Sequence, residues 1–356
     1  MDHQQRFHNL IPELERRKLD ALLVTHLPNI RYLCGFTGSA GVLLAGPRPV
    51  FFTDGRYTSQ AHQEVKGARV VTSRVSVLTA VAEMMRVRKL GRVGIEAEHM
   101  TIAMRSQLKR LVDGVRLVES RGAVEQLRLT KDADEIALIR EAVLLGSRLL
   151  KPMLRTIRPG VLETEIAAKL EYAARRAGAE MMSFETIVAS GVRSSFPHGV
   201  AARHAVPSRG FVVLDYGVIL TGYCSDMTRT VHVGRAGERE RACYQAVLEA
   251  QLAAVEAVKP GVTAGEVDEA ARSTLKRARL AKYFTHSTGH GVGLEIHEAP
   301  RVAARQQQVL HPGMVITIEP GVYIPGKYGV RIEDMVLVTG RGHETLTPSP
   351  KELIEI

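Results

Sequence analysis

RPGVLETEI at 158–166 and KPGVTAGEV at 259–267 decide the reading of this chain. The copies lie 101 residues apart. Each places a proline early and a glutamate in or near the first turn of an expected helix, where the helix dipole favours negative charge. Each also follows an amphipathic helical pattern. One shared PGV would carry little weight, but the correspondence continues. FPHG with His198 meets EIHE with His297, LDYG with Asp215 meets IEPG with Glu319, and Asp226 meets Glu333, at offsets of 99, 104 and 107. Landmarks in one order at nearly one spacing predict a duplicated α+β half. Two such halves facing each other would set a carboxylate pair and a histidine on each side of a shared cleft.

The carboxylates sit in strand-like runs. VVLDYGVILTGYCSDMTRTVHV (212–233) reads as two apolar runs about a turn near 220–222. A turn centred between Leu220 and Thr221 would set Asp215 directly opposite Asp226, with Cβ atoms roughly 4.5–5.5 Å apart. Like charges that close repel unless a cation lies between them. From this hairpin alone, a cation site and two unrelated aspartates are equally good readings. The second half tips the balance. VITIEPGVY reaches Glu319 at a strand end, and in VRIEDMVLV a period of two puts Arg331 and Glu333 on one face. Glutamate within an apolar β run is costly unless paired. Glu333 therefore wants a cation, and Arg331 is the candidate support. Four carboxylates at matching places make a metal the better reading. THSTGHGVGLEIHEAP (285–300) adds His286, His290 and His297. Glycines flanking His290 would let its backbone approach a crowded site. The same run lacks the lysine and the spacing of a phosphate loop.

The first ~120 residues read as an α/β unit. Helices are expected over 4–19 and 77–88, and strands over 21–25, 41–45, 50–53 and RVGIEA. ESRGAVEQLRLTKDADE reads as a boundary, giving domains 1–121 and 122–356, with Thr130 capping a helix whose apolar side holds Ala137, Leu138, Val143 and Leu144. The 356 residues include 45% hydrophobic and 24% charged side chains, which fits a core-forming protein. The net charge of +10 is spread along helices among acidic residues, without tryptophan or an aromatic-basic platform. It is read as a solvated surface that draws in carboxylate-bearing substrates, not as a nucleic-acid interface. No apolar run approaches the roughly 18 residues of a membrane span. The N-terminus lacks an apolar leader, and Cys34, Cys224 and Cys243 lack metal spacing, so reduced thiols and a cytoplasmic location are expected.

These residues together resemble the creatinase/aminopeptidase family, the pita-bread metallopeptidases. The resemblance spans about 122–356 and rests on Asp215 and Asp226, HGVGLEIHE from His290 to Glu298, IEPG at Glu319, and RIED from Arg331 to Asp334. The HGVGLEIHE run is similar to the signature of the proline-specific branch, prolidase and aminopeptidase P. RYLCGFTGSAG and FTDGRY resemble that branch's N-terminal domain. The resemblance implies a pita-bread fold with pseudo-twofold duplication behind a smaller creatinase-like α/β domain. It implies that Asp215, Asp226, His290, Glu319 and Glu333 ligate two divalent ions, with Asp226 and Glu333 bridging. His198, His286 and His297 match substrate-binding and proton-handling positions; Tyr323 and Arg331 match positions that orient ligands. An intact ligand set argues against creatinase itself, which works without metals, and against non-catalytic peptide-binding relatives. The oxygen-rich donor set suits manganese, with cobalt, zinc or iron as alternatives. The implied activity is hydrolysis of Xaa-Pro bonds by a homodimer, with Glu319 shuttling the proton. FTDGRY leans the reading to aminopeptidase P, with prolidase as the alternative and methionine aminopeptidase a more distant one.

Overall fold

A computed structural model describes residues 1–356. The chain divides into two compact units, Met1–Arg128 and Leu129–Ile356. Residues 122–128, read from sequence as part of the second domain, are fastened to the first unit. Arg128 Nη1 donates to Asn29 Oδ1 at 2.7 Å, and Asn29 Nδ2 donates to Glu125 at 2.6 Å.

The first unit is a six-stranded α/β layer. In spatial order its strands are Arg69–Thr72, Val50–Thr53, Val42–Ala45, Ala21–Val24, Arg92–Glu96 and Arg116–Ser120. The central strands are apolar on both faces because helices such as His3–Arg16 and Val77–Val87 cover them. The two helices and the four inner strands lie close to where the sequence pattern placed them, whereas the edge strands Arg69–Thr72 and Arg116–Ser120 were not expected.

The second unit contains the repeat. Helix Ala133–Leu154 precedes Glu163–Arg176, and helix Glu238–Ala257 precedes Ala264–Arg277. The two shorter helices are both 14 residues long and begin 101 residues apart. Each half then supplies three antiparallel strands in one order: Met227–Val233, Gly210–Tyr216, Ile187–Ser190 in the first, and Asp334–Val338, Val315–Ile318, Gly289–Gly291 in the second. The second sheet gains outer strands Glu298–Val302 and His343–Thr345. Each helix pair packs on its own sheet. Ile166, Leu170 and Leu214 belong to the first core, and Val247, Val267 and Ile316 to the second. The duplicated α+β architecture is therefore present.

Three local expectations need correction. Helix Ala133–Leu154 is capped by Asp132, not Thr130, because a reciprocal capping box forms with Glu135. Its buried face is Ile139, Ala142, Val143, Leu145 and Leu149, whereas Ala137 and Leu144 are exposed. The hairpin register also differs. Leu220 pairs with Tyr223 and Asp215 with Thr228, so Asp226 is not opposite Asp215. The turn is Thr221 and Gly222, with φ of 49° and 82°. Two successive positive φ values match the right-handed twist of a two-residue hairpin. Finally, the 330–338 run is not one strand: it breaks between Tyr328–Arg331 and Asp334–Val338.

Candidate metal centre

The histidine is placed by its flanking glycines. A Cβ on Gly289 would lie 1.9 Å from the Thr317 carbonyl oxygen, and one on Gly291 would lie 2.1 Å from that of Ala299. Only glycine permits this approach, so His290 lies on a strand wedged between neighbours. Its Nδ1 is 3.0 Å from the Gly291 carbonyl, which can only accept, so Nδ1 carries the proton and Nε2 is bare. Burial, with His297 nearby, pushes the ring down to about 4, so it is neutral at pH 7. The bare nitrogen faces Asp226 Oδ2 at 3.6 Å and Glu319 Oε1 at 3.5 Å.

Acceptors facing acceptors need something positive between them. Two ligand atoms about 2.1 Å from one ion lie roughly 3.0–3.6 Å apart at ordinary coordination angles. The observed separations match that span. Ligand atoms of Asp226, His290 and Glu333 all lie within 4.8 Å of one another. Asp215 Oδ1 and Glu333 Oε1 are buried with no hydrogen-bond partner. Burial and then the neighbouring carboxylates hold Asp226 and Glu333 well above the usual range. Burial raises Glu319 to about 7 although Arg331 opposes it. Orphaned oxygens, crowded anions and a neutral imidazole together form the donor set of a divalent-cation site.

Arg331 favours the Glu333 carboxylate by its charge but makes no direct ion pair with it. Its Nη2 donates to Asp215 Oδ2 at 2.5 Å, Nη1 to Tyr323 Oη at 2.5 Å, and Nε to Thr228 Oγ1 at 3.1 Å. Glu333 is held instead by Thr228, whose hydroxyl donates to Oε2 at 2.7 Å. The chain break after Arg331 explains the missing pair: without a continuous strand, the two side chains do not share a pleated face. His286 Nδ1 lies 2.8 Å from the Ser287 carbonyl and so carries its proton, leaving Nε2 to accept from Tyr323 Oη at 3.0 Å. Burial, then the Arg331 charge, pushes His286 down to about 3.

A cavity of about 730 Å³ opens over this cluster. His198, Asp215, Asp226, His286, His290, His297, Glu319, Arg331 and Glu333 all line it. Tyr323 stands behind it, bonded to both Arg331 and His286. His198 and His297 are exposed at its wall, and His297 stacks edge-on against His290 at 4.4 Å. Sequence reasoning missed Thr228, Thr317 and Arg301. Thr228 was findable, because period two puts it on the face of Asp226. Thr317 Oγ1 accepts the His290 backbone N–H at 3.1 Å. Arg301 is directly across the strand pair from His290 and also lines the cavity.

Comparison with known proteins gives the chain a family. Residues 137–340 match the model of metallopeptidase family M24, and residues 6–130 match the creatinase/prolidase N-terminal domain. The chain is 36% identical to an Xaa-Pro dipeptidase of Pyrococcus horikoshii over 98% of this chain and 99% of that one. It superposes on an Xaa-Pro dipeptidase from Bacillus anthracis with a TM-score of 0.98 at 41% identity, covering 100% of both chains. An X-Pro aminopeptidase from Thermotoga maritima superposes at 0.91 and 34% identity, over 99% of this chain and 100% of that one. No helix is long and apolar enough to cross a membrane. With the duplicated fold, the cluster and these matches together, the chain belongs to metallopeptidase family M24.

Proposed function

We propose that the protein is an Xaa-Pro dipeptidase using two divalent ions held by Asp215, Asp226, His290, Glu319 and Glu333. The observation that carries this reading is the bare Nε2 of His290 facing two carboxylate oxygens at 3.5 and 3.6 Å. When bound, such ions supply activation of water and Lewis-acid polarisation of the scissile carbonyl. The donor set is rich in oxygen and suits manganese.

The chain's own residues supply the remaining steps. Glu319 lines the cavity beside His290, where a carboxylate can carry a proton between an attacking water and a leaving group. It takes the proton from the attacking water and delivers it to the proline nitrogen, which has no N–H of its own and cannot leave unprotonated. His198 and His297 face the cavity and can donate to the oxygen of the tetrahedral intermediate. Arg331, Tyr323 and His286 form one bonded relay that fixes Asp215 and the cavity wall. Arg331 is already committed to these partners. Arg301 is the lining cation left to receive a substrate carboxylate, which a dipeptide presents beside its scissile bond and a longer peptide does not. This feature and the names of the dipeptidase relatives favour the dipeptidase alternative over the lean to aminopeptidase P.

The test is to incubate manganese-reconstituted protein with Gly-Pro and with a longer Xaa-Pro-Yaa peptide. Cleavage of Gly-Pro alone, with KM raised at least tenfold in Arg301→Ala, is expected. Efficient cleavage of the longer peptide would replace this reading with aminopeptidase activity. The proposal includes a cytoplasmic homodimer acting on peptides and binding neither membrane nor nucleic acid, which rests on the family resemblance of the sequence.

A further inference from the structure

Glu333 lies in the break between two strands, so no ladder holds its carbonyl oxygen. A buried carbonyl needs a partner, and Arg229 supplies it. Arg229 belongs to strand Met227–Val233 and is 3% exposed, on the face opposite Thr228. Every part of its guanidinium is used. Nη1 donates to the carbonyls of Glu333 at 2.5 Å and Thr228 at 2.9 Å. Nη2 donates to Asp334 Oδ1 at 2.8 Å and the Ser349 carbonyl at 2.7 Å, and Nε to the Pro350 carbonyl at 2.8 Å. Asp334 is wholly buried, and its second oxygen accepts from Gln251 at 2.9 Å and Lys351 at 2.8 Å. A rigid five-donor fork thus joins a strand of the first half, the broken strand of the second half and the segment 349–351.

The joint lies directly behind the cluster. Glu333 N donates to the same Thr228 carbonyl at 3.2 Å, and the Thr228 hydroxyl holds Glu333 Oε2. We infer that Arg229 is a positioning residue for Glu333, and that the segment 349–351 is thereby part of the support of the metal centre. The inference rests on reading Glu333 as a ligand. Arg229 touches no reacting atom. It sets the distance between the carboxylates of the two halves, so its loss acts on metal affinity before it acts on chemistry.

The test titrates Mn²⁺ alone into metal-free parent, Arg229→Ala, Arg229→Lys and Leu170→Ala by calorimetry, with folding followed by circular dichroism. Leu170 is a fully buried core residue of helix Glu163–Arg176 and serves as a control destabilised elsewhere. Both Arg229 variants should bind Mn²⁺ some 10–100-fold more weakly, the usual cost of losing a group that orients a ligand. Leu170→Ala should bind like the parent. Millimolar guanidinium should restore affinity to Arg229→Ala and leave Arg229→Lys unchanged. A folded Arg229→Ala with parental affinity would overturn the inference. So would an equal loss in Leu170→Ala, because any loss of stability would then suffice. A parent that binds Mn²⁺ yet leaves Gly-Pro intact sinks the dipeptidase reading alone. A parent that cleaves Gly-Pro beside an Arg229→Ala with unaltered affinity sinks the clamp alone.

Discussion

Ala189 and His290 occupy corresponding places in the two halves of the Leu129–Ile356 unit. In the first half Asp215 pairs with Ile187, two residues before Ala189. In the second, Glu319 N donates to the carbonyl of Thr288, two residues before His290. The frame is the same and the side chains differ. Ala189 is buried in a small cluster with Ile187 and Val213. His290 instead faces carboxylates, between glycines that let neighbouring strands close in. The second half also adds the strand that sets Arg301 opposite His290. Duplication thus accounts for carboxylates in pairs. The imidazole and the cation beside it belong to one half only, so the two sides of the cleft cannot perform the same task.

The largest test of that asymmetry compares one carboxylate from each half. Asp215→Ala and Glu319→Ala should both lose metal. At saturating Mn²⁺, Glu319→Ala should lose a further ~10²–10⁴-fold in kcat on Gly-Pro, the usual worth of a positioned proton carrier. Equal kcat values would remove the proton role from Glu319.

The next concerns His290 itself. His290→Ala should weaken the binding of one ion at least tenfold and leave the other in place. Elemental analysis after dialysis should then find close to one metal per chain. Loss of both ions, or of neither, would mean that the histidine does not distinguish two positions.

A smaller effect separates the halves by pH. In metal-free protein Glu319 is raised to about 7, and burial holds Asp226 and Glu333 well above their ordinary values. The folded state therefore holds protons that the unfolded chain has already released. This stability is complete below about pH 4.5 and is lost as pH rises through the folded values. His286 and His290, pushed down to about 3 and about 4, act oppositely, and their contribution is complete about one unit above their ordinary 6.5. Between pH 7.5 and 8.5 the carboxylate effect remains. Melting of chelator-treated protein should drop over that range, and excess Mn²⁺ should abolish the drop. A flat melting temperature without metal would show that the carboxylates are not crowded.

The smallest concerns the hairpin turns. Thr221 sits at φ 49°, a region unfavourable for a β-branched residue, whereas the second half turns at Gly326 with φ 70°. Thr221→Asn should stabilise the protein by roughly 0.5–1 kcal/mol. An unchanged melting temperature would place no strain at Thr221.

The helices and the duplication were legible because the two PGV segments announce helix starts at one spacing. The cluster was legible because carboxylates inside apolar β runs need a reason to be there. The hairpin register was not, because it depended on Thr221 taking a positive φ that its side chain disfavours. The partner of Arg331 was hidden by the break at 332–333, which composition does not signal. Arg229 carried a signal that went unused. It is the one arginine or lysine in the strand MTRTVHV, whose other residues are apolar, hydroxylated or histidine.

The clamp on the Ser349 and Pro350 carbonyls has a consequence for how the chain is made. Synthesis proceeds from the N-terminus, so Asp215 and Asp226 leave the ribosome long before residue 350. At the usual ~5–20 residues per second that gap lasts roughly 6–25 seconds. Throughout it, the first half can fold around its own core while Arg229 still lacks the acceptors at 333, 334, 349 and 350. The nascent protein therefore passes through a stage in which two buried-to-be aspartates and an arginine wait, exposed, for their partners. The joint that closes last in synthesis is the one that brings the carboxylates of the two halves to their final spacing.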